Sequence, residues 1–134
     1  ELGVSIDGAS RDTYEKLRLG GRWDKVLEGL ECMAEQKQKH GFRFILHFVV
    51  QKDNFHEMTD IIDLGEKYGA DKVWLNKIQD WGTTGDFKRQ DIWDTPEYQT
   101  QIELVIDRIQ ERGNDRFIEC PTLVSEEARC RNRN

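Results

Sequence analysis

The sequence predicts an α/β fold made of three to four parallel strand–helix units, and three observations carry that expectation. Short apolar runs alternate with longer amphipathic stretches along most of the 134 residues, the order that builds a parallel βα sheet. The run from Phe44 to Val50 is almost continuously apolar, as in a strand covered on both faces. Gly41, Gly69 and Gly113 each follow a stretch of helical periodicity, where a chain leaving a helix adopts a left-handed turn.

Taken in order, the first strand spans residues 2–7 and stops at Gly8. Ser10 is placed to cap a short helix through Leu17, before the pair Gly20 and Gly21. A longer helix starts near Asp24, with Trp23, Val26, Leu27, Leu30, Met33 and Ala34 on one face. The second strand covers residues 42–51. Asn54 reads as an N-cap, and Glu57 three residues on reads as its capping-box partner. The helix they open carries Met58, Ile61, Ile62 and Tyr68. A third strand spans residues 72–78. The polar connection 79–94 is longer than most in compact domains; its Trp81, followed by Gly82-Thr83-Thr84-Gly85, reads equally as a substrate-facing loop or as an ordinary exposed link. Thr95-Pro96-Glu97 then opens a helix with a cap, a proline at N1 and an acid in the first turn, and Ile102, Val105, Ile106 and Ile109 form its buried stripe. Residues 1–113 thus form the βα part. Residues 114–134 hold an additional strand over 116–120 and, beyond Pro121, an expected disordered tail.

Composition narrows the function classes. A hydrophobic share of 37% supports a core, and a net charge of −6 disfavours nucleic acid and anionic membrane as main partners, because both reward clustered Lys and Arg. No apolar stretch reaches the ~20 residues of a membrane span and no leader pattern is seen, so a cytoplasmic location is expected. Cys32, Cys120 and Cys130 are odd in number and include no Cys-x-x-Cys pair, which argues against a disulfide framework or a zinc ribbon. His40 and His56 lack metal-ligand spacing.

Strand alternation sorts the side chains further. Val4 and Ile6 share one face, as do Phe44, Leu46, Phe48 and Val50, and Val73 and Leu75. The other face collects Ser5, Asp7, His47, Gln51, Trp74 and Asn76. Ligands of parallel βα sheets gather at the carboxyl ends of strands, which makes this polar set a candidate site. The competing reading is that Ser5, Asp7 and Gln51 only cap strand ends by bonding to nearby backbone.

Read together, Val4-Ser5-Ile6-Asp7-Gly8-Ala9-Ser10, Thr13-Tyr14-Glu15-Lys16-Leu17-Arg18 and Gly20-Gly21 before Trp23-Asp24-Lys25-Val26-Leu27-Glu28 resemble the fourth βα unit of radical S-adenosylmethionine (SAM) enzymes. The branch they are most similar to includes sulfatase-maturing and peptide-modifying members with SPASM or twitch domains. Phe48-Val49-Val50-Gln51-Lys52-Asp53-Asn54 with Glu57 resembles the fifth unit, and Val73-Trp74-Leu75-Asn76-Lys77-Ile78 with Trp81-Gly82 the sixth.

The resemblance covers residues 2–109. It implies the C-terminal half of a partial TIM barrel that holds SAM and a 4Fe-4S cluster and uses a 5′-deoxyadenosyl radical to abstract a substrate hydrogen. It further implies that Ser5 and Asp7 bond the SAM ribose with Gln51 and Asn76 nearby, that Arg18 approaches the methionine carboxylate, and that Ile78 packs on the adenine. The inward-facing His47 and Trp74, with Trp81, are the candidates to face a small-molecule or peptide substrate, and for His47 the favoured competing reading is a hydrogen-bonded histidine of the lumen.

The three-cysteine loop that holds the cluster in that family has no counterpart here, so the chain alone is expected to be inactive and to bind no metal. The rest of the barrel is its expected partner, and self-association through open sheet edges the expected behaviour without it. Two alternatives remain open: a flavodoxin-like binding or regulatory domain, with helices on both faces of the sheet, and a non-catalytic degenerate barrel scaffold.

Overall fold

The computed structural model describes residues 1–78, 92–113 and 115–125. Four parallel strands, β1 (Leu2–Ser5), β2 (Phe44–Val50), β3 (Lys72–Lys77) and β4 (Ile118–Glu119), lie side by side in chain order. Helices α1 (Arg11–Leu17) and α2 (Trp23–His40) connect β1 to β2, α3 (Met58–Lys67) connects β2 to β3, and α4 (Pro96–Glu111) precedes β4. A sheet whose spatial order follows the chain, with each crossover turning the same way, is singly wound.

Register explains where the core sits. Val4 pairs with Leu46, Leu46 with Val73, and Val73 with Ile118. These residues share one face, and the helices cover it. On α3, Gly65 comes so close to the sheet that an added Cβ would stand 2.5 Å from Val73 Cγ2. Leu30 of α2 and Val105 and Ile109 of α4 join the same buried cluster. The helices therefore gather on one side, the arrangement of a βα barrel segment. The flavodoxin-like alternative required helices on both sides and is not what the sheet adopts.

The ends of the elements follow local chemistry. Ser10 caps α1 through its hydroxyl, which accepts from Thr13 N–H, and Thr95 caps α4 in the same way for Tyr98 N–H. Gly41 ends α2 at φ 69°, a conformation glycine reaches without a Cβ penalty. At the amino-terminal edge of the sheet, Asp71 accepts from Phe44 N–H at 2.9 Å and pairs with Lys37 of α2 at 2.8 Å. Burial by itself would raise the Asp71 carboxyl, but the Lys37 ammonium and the Phe44 N–H outweigh it and hold the group below its usual range.

Three expectations need correction. β1 ends at Ser5 rather than Asp7: one further ladder bond, from Ile6 N–H to His47 O at 3.0 Å, follows it, and the chain bends at Asp7. Residues 121–125, expected to be disordered, are packed: Val124 is buried, and Thr122 Oγ1 accepts from Lys77 N–H at 2.9 Å. Asn54 does not cap α3 with its side chain, and Glu57 does not reach back to it. Both serve a different purpose, described next.

Candidate functional site

The face opposite the helices is built by the same register. Ser5 pairs with His47 and His47 with Trp74, while Asn76 pairs with Val49 one pleat nearer the carboxyl end. Gly3, Ile45 and Lys72 lie one pleat in the other direction. Just past β2 and β3, Ile78 N–H donates to Val50 O at 2.9 Å, so the parallel ladder continues and brings Ile78 alongside Gln51. The structure thus assembles Ser5, His47, Trp74 and Asn76 on one surface, with Gln51 and Ile78 at its carboxyl-terminal rim. Ser5 is exposed and His47, Trp74, Asn76, Gln51 and Ile78 are half-buried. Trp81 lies outside the described residues.

The rings of His47 and Trp74 stack at 6.0 Å between centroids with 23° between their planes. The Trp74 indole Nε1 is sealed from solvent and has no acceptor among the described residues. Lys72 places its ammonium 5.9 Å from the Trp74 ring centroid. Asp7 and Arg18 pair with each other: Arg18 Nε donates to Asp7 Oδ2 at 2.5 Å. The guanidinium is half in solvent and the carboxylate mostly shielded.

Two residues that sequence reasoning read as helix caps instead hold the rim together. Asn54 is 0% exposed. Its Oδ1 accepts from Gln51 N–H at 2.8 Å, and its Nδ2 donates to Val49 O at 2.9 Å and to Asp7 O at 3.1 Å. Glu57, 5% exposed, accepts from Ala9 N–H at 2.8 Å and from the Ser10 hydroxyl at 2.6 Å. The turn after β2 therefore grips the turn after β1 through three hydrogen bonds, while two more tie Asn54 to its own segment. Buried polar groups are tolerated when every partner is supplied, and here the supply fixes the relative position of the two strand ends. The available signal was an Asn in the turn that follows a strand, a residue whose side chain commonly satisfies turn backbone.

Among the described residues no group of three or more His, Cys, Asp or Glu side chains is placed to hold a metal. Cys32 is exposed on α2, Cys120 is fully buried beside β4, and Cys130 lies outside the described residues. The described thiols do not fit an iron–sulfur cluster. Near β4, the Tyr98 hydroxyl is buried without a partner among the described residues; burial and the nearby Cys120 push its pKa well above the usual phenol range. No described helix is long and apolar enough to cross a membrane.

Fold and site together define a βα-barrel type segment whose polar groups collect on the uncovered face at the carboxyl ends of its strands. Two curated proteins of Methanosarcina barkeri strain Fusaro are similar to it. One, an AdoMet-dependent heme synthase, is 34% identical over 70 residues, which is 52% of this chain and 19% of that protein. The other, an Fe-coproporphyrin III synthase, is 28% identical over 116 residues, 84% of this chain and 28% of that protein. The chain spans less than a third of either relative. No family model matches the sequence.

Proposed function

We propose that this chain forms the C-terminal part of a radical SAM barrel and supplies one wall of the SAM and substrate site in a longer protein. The observation that carries the reading is the row of polar side chains on the uncovered face of a singly wound parallel sheet. The similarity to a protein named as AdoMet-dependent supports it.

In this reading Ser5 and Asp7 bond the ribose hydroxyls, with Gln51 and Asn76 beside them, and Ile78 offers the adenine an aliphatic shelf. Arg18 serves the methionine carboxylate, exchanging Asp7 for a carboxylate that a guanidinium binds in the same fork geometry. SAM and the cluster supply the radical chemistry; the chain's own residues bind, orient and exclude water. The edge of β1 supports the reading too. An open groove of about 330 Å³ runs along it, lined by Val4, Ile6, Tyr14, Val26, Leu30 and Met33, as expected where a preceding βα unit docks. Both relatives are named as synthases of iron tetrapyrroles, and tetrapyrrole chemistry is the class of reaction we assign to the longer protein. A SPASM or twitch extension belongs to the same proposal.

Anaerobic reconstitution of the longer protein with iron and sulfide, followed by assay for 5′-deoxyadenosine, tests this. Formation of 5′-deoxyadenosine that depends on reductant is the expected result, and its absence in a protein with a full cluster overturns the reading. The 134-residue chain by itself is expected to bind SAM weakly, and low-micromolar affinity by calorimetry would contradict that.

A further inference from the structure

Resting on the reading of a longer protein, we infer that a second helix packs across α2 at Gly29 and covers the exposed apolar part of β1, and that it belongs to the strand–helix unit preceding β1. Two glycines lie inside the described helices, Gly29 in α2 and Gly65 in α3. Helix interiors disfavour glycine more than any residue except proline, so each needs a reason. Gly65 has one within the chain, since an added Cβ would stand 2.5 Å from Val73 Cγ2. At Gly29 an added Cβ meets nothing within 4 Å among the described residues, and the position is exposed. Its φ is not positive, so neither backbone conformation nor internal packing calls for glycine. Glycine also lets another backbone approach closely, and at Gly29 the approaching element lies outside this chain.

The surroundings identify the occupant. Gly29 lines the groove along β1 together with Val4, Val26 and Met33, apolar side chains that are buried only in part. Val26 and Met33 stand three residues before and four residues after Gly29, hence on the same side of α2. The result is a notch between two apolar shoulders, a shape that receives the ridge of another helix. β1 shows the matching gap. Along one register row Val73 and Leu46 have no exposure, whereas Val4 is half-buried and Leu2, on the same face, is 53% exposed. β2 lies between α2 and α3, but β1 ends the described sheet with α2 alone beside it. Spatial order follows the chain here and parallel crossovers are right-handed, so the unit that fits this side precedes β1 and lays its helix on the covered face next to α2. The stretches shared with the two relatives are 19% and 28% of those proteins, which leaves length for such a unit. A glycine kept by chance would explain the exposure at Gly29, but not its place in the groove beside the uncovered part of β1.

The test compares Gly29→Leu in this chain and in the longer protein by thermal unfolding, followed by far-UV dichroism without SAM or cluster. In this chain the leucine enters open space and restores helix propensity, so the midpoint should rise by about 3 °C. In the longer protein it should fall by about 5 °C or more, because the leucine forces two helices apart. If Gly29→Leu does not fold in the longer protein, Gly29→Ala decides: it should raise the midpoint of this chain and fail to raise that of the longer protein. Glu31→Leu, on the far side of α2, should shift both proteins alike. The inference is overturned if the Gly29 variants raise both midpoints, if they lower that of this chain, or if Glu31→Leu lowers the longer protein as much as Gly29→Leu does. It is also overturned if sedimentation shows this chain as a dimer that Gly29→Leu dissolves while the longer protein is unaffected, since the occupant is then a second copy. A longer protein that responds at Gly29 as expected yet forms no 5′-deoxyadenosine defeats only the SAM reading, so the two can fail separately.

Discussion

On the helix-covered face of the sheet Phe44, Leu46, Phe48, Val50, Val73 and Leu75 are wholly enclosed, whereas the opposite face of β1 to β3 carries Ser5, His47, Trp74 and Asn76. The covered face obeys one rule, the removal of apolar area from water. The uncovered face breaks that rule on every strand. It carries a buried donor without an acceptor among the described residues and an exposed Val49 at 37%, features that stability alone does not select. Between them, at the carboxyl ends, Asn54 and Glu57 spend buried polar groups on holding two turns in register. The contrast separates residues that make the sheet from residues that the sheet displays.

Substitutions sharpen that separation in a graded way. Leu46→Ala, at a site with no exposure, should cost about 3–4 kcal/mol in urea unfolding through lost burial and the cavity left behind. Asn54→Ala should cost about 2–3 kcal/mol, since it strands the Gln51 N–H and two carbonyls in a dry turn. Gly65→Ala should lose about 2 kcal/mol by forcing α3 off Val73; little change would mean that the helix rides further from the sheet. Asp71→Asn should cost about 1 kcal/mol near neutral pH. Its carboxyl is held below the ordinary value of 3.8, so the contribution is fully present above that value and is lost as pH falls through the lower folded-state pKa. The unfolding midpoints of Asp71→Asn and the unmodified chain should therefore converge in acid and diverge above pH 4 or so. Smallest of all, His47→Ala should shift stability by under about 0.5 kcal/mol, and a loss as large as that of Leu46→Ala would place His47 in the core and erase the contrast.

Much of the covered face was legible because burial has a period. The alternation in residues 44–50 and the i, i+3, i+4 stripe of Ile102, Val105, Ile106 and Ile109 specify which side turns inward without any knowledge of neighbours. The same alternation put Ser5, His47, Trp74 and Asn76 on the uncovered face, whereas Asp7, expected among them, lies beyond β1 and pairs with Arg18. The Asn54 and Glu57 clamp was not legible, since a capping box and a clamp to another turn use the same residue types and only the tertiary placement of Ala9 and Ser10 decides between them. Nor was the Asp7–Arg18 pair, whose partners lie on different elements. The packing of residues 121–125 escaped for a similar reason: Thr122 is held by the backbone of β3, a contact no local propensity encodes.

The most direct test of the account measures SAM affinity and the urea unfolding midpoint together, by equilibrium dialysis and dichroism, in the reconstituted longer protein carrying Ser5→Ala, Gln51→Ala and Asn76→Ala at once. A fall in SAM affinity of about tenfold or more with an unchanged midpoint is what a displayed cradle predicts. Unaltered SAM affinity, or a midpoint that drops as it does for Leu46→Ala, would show that these three side chains serve the sheet and hold no ligand.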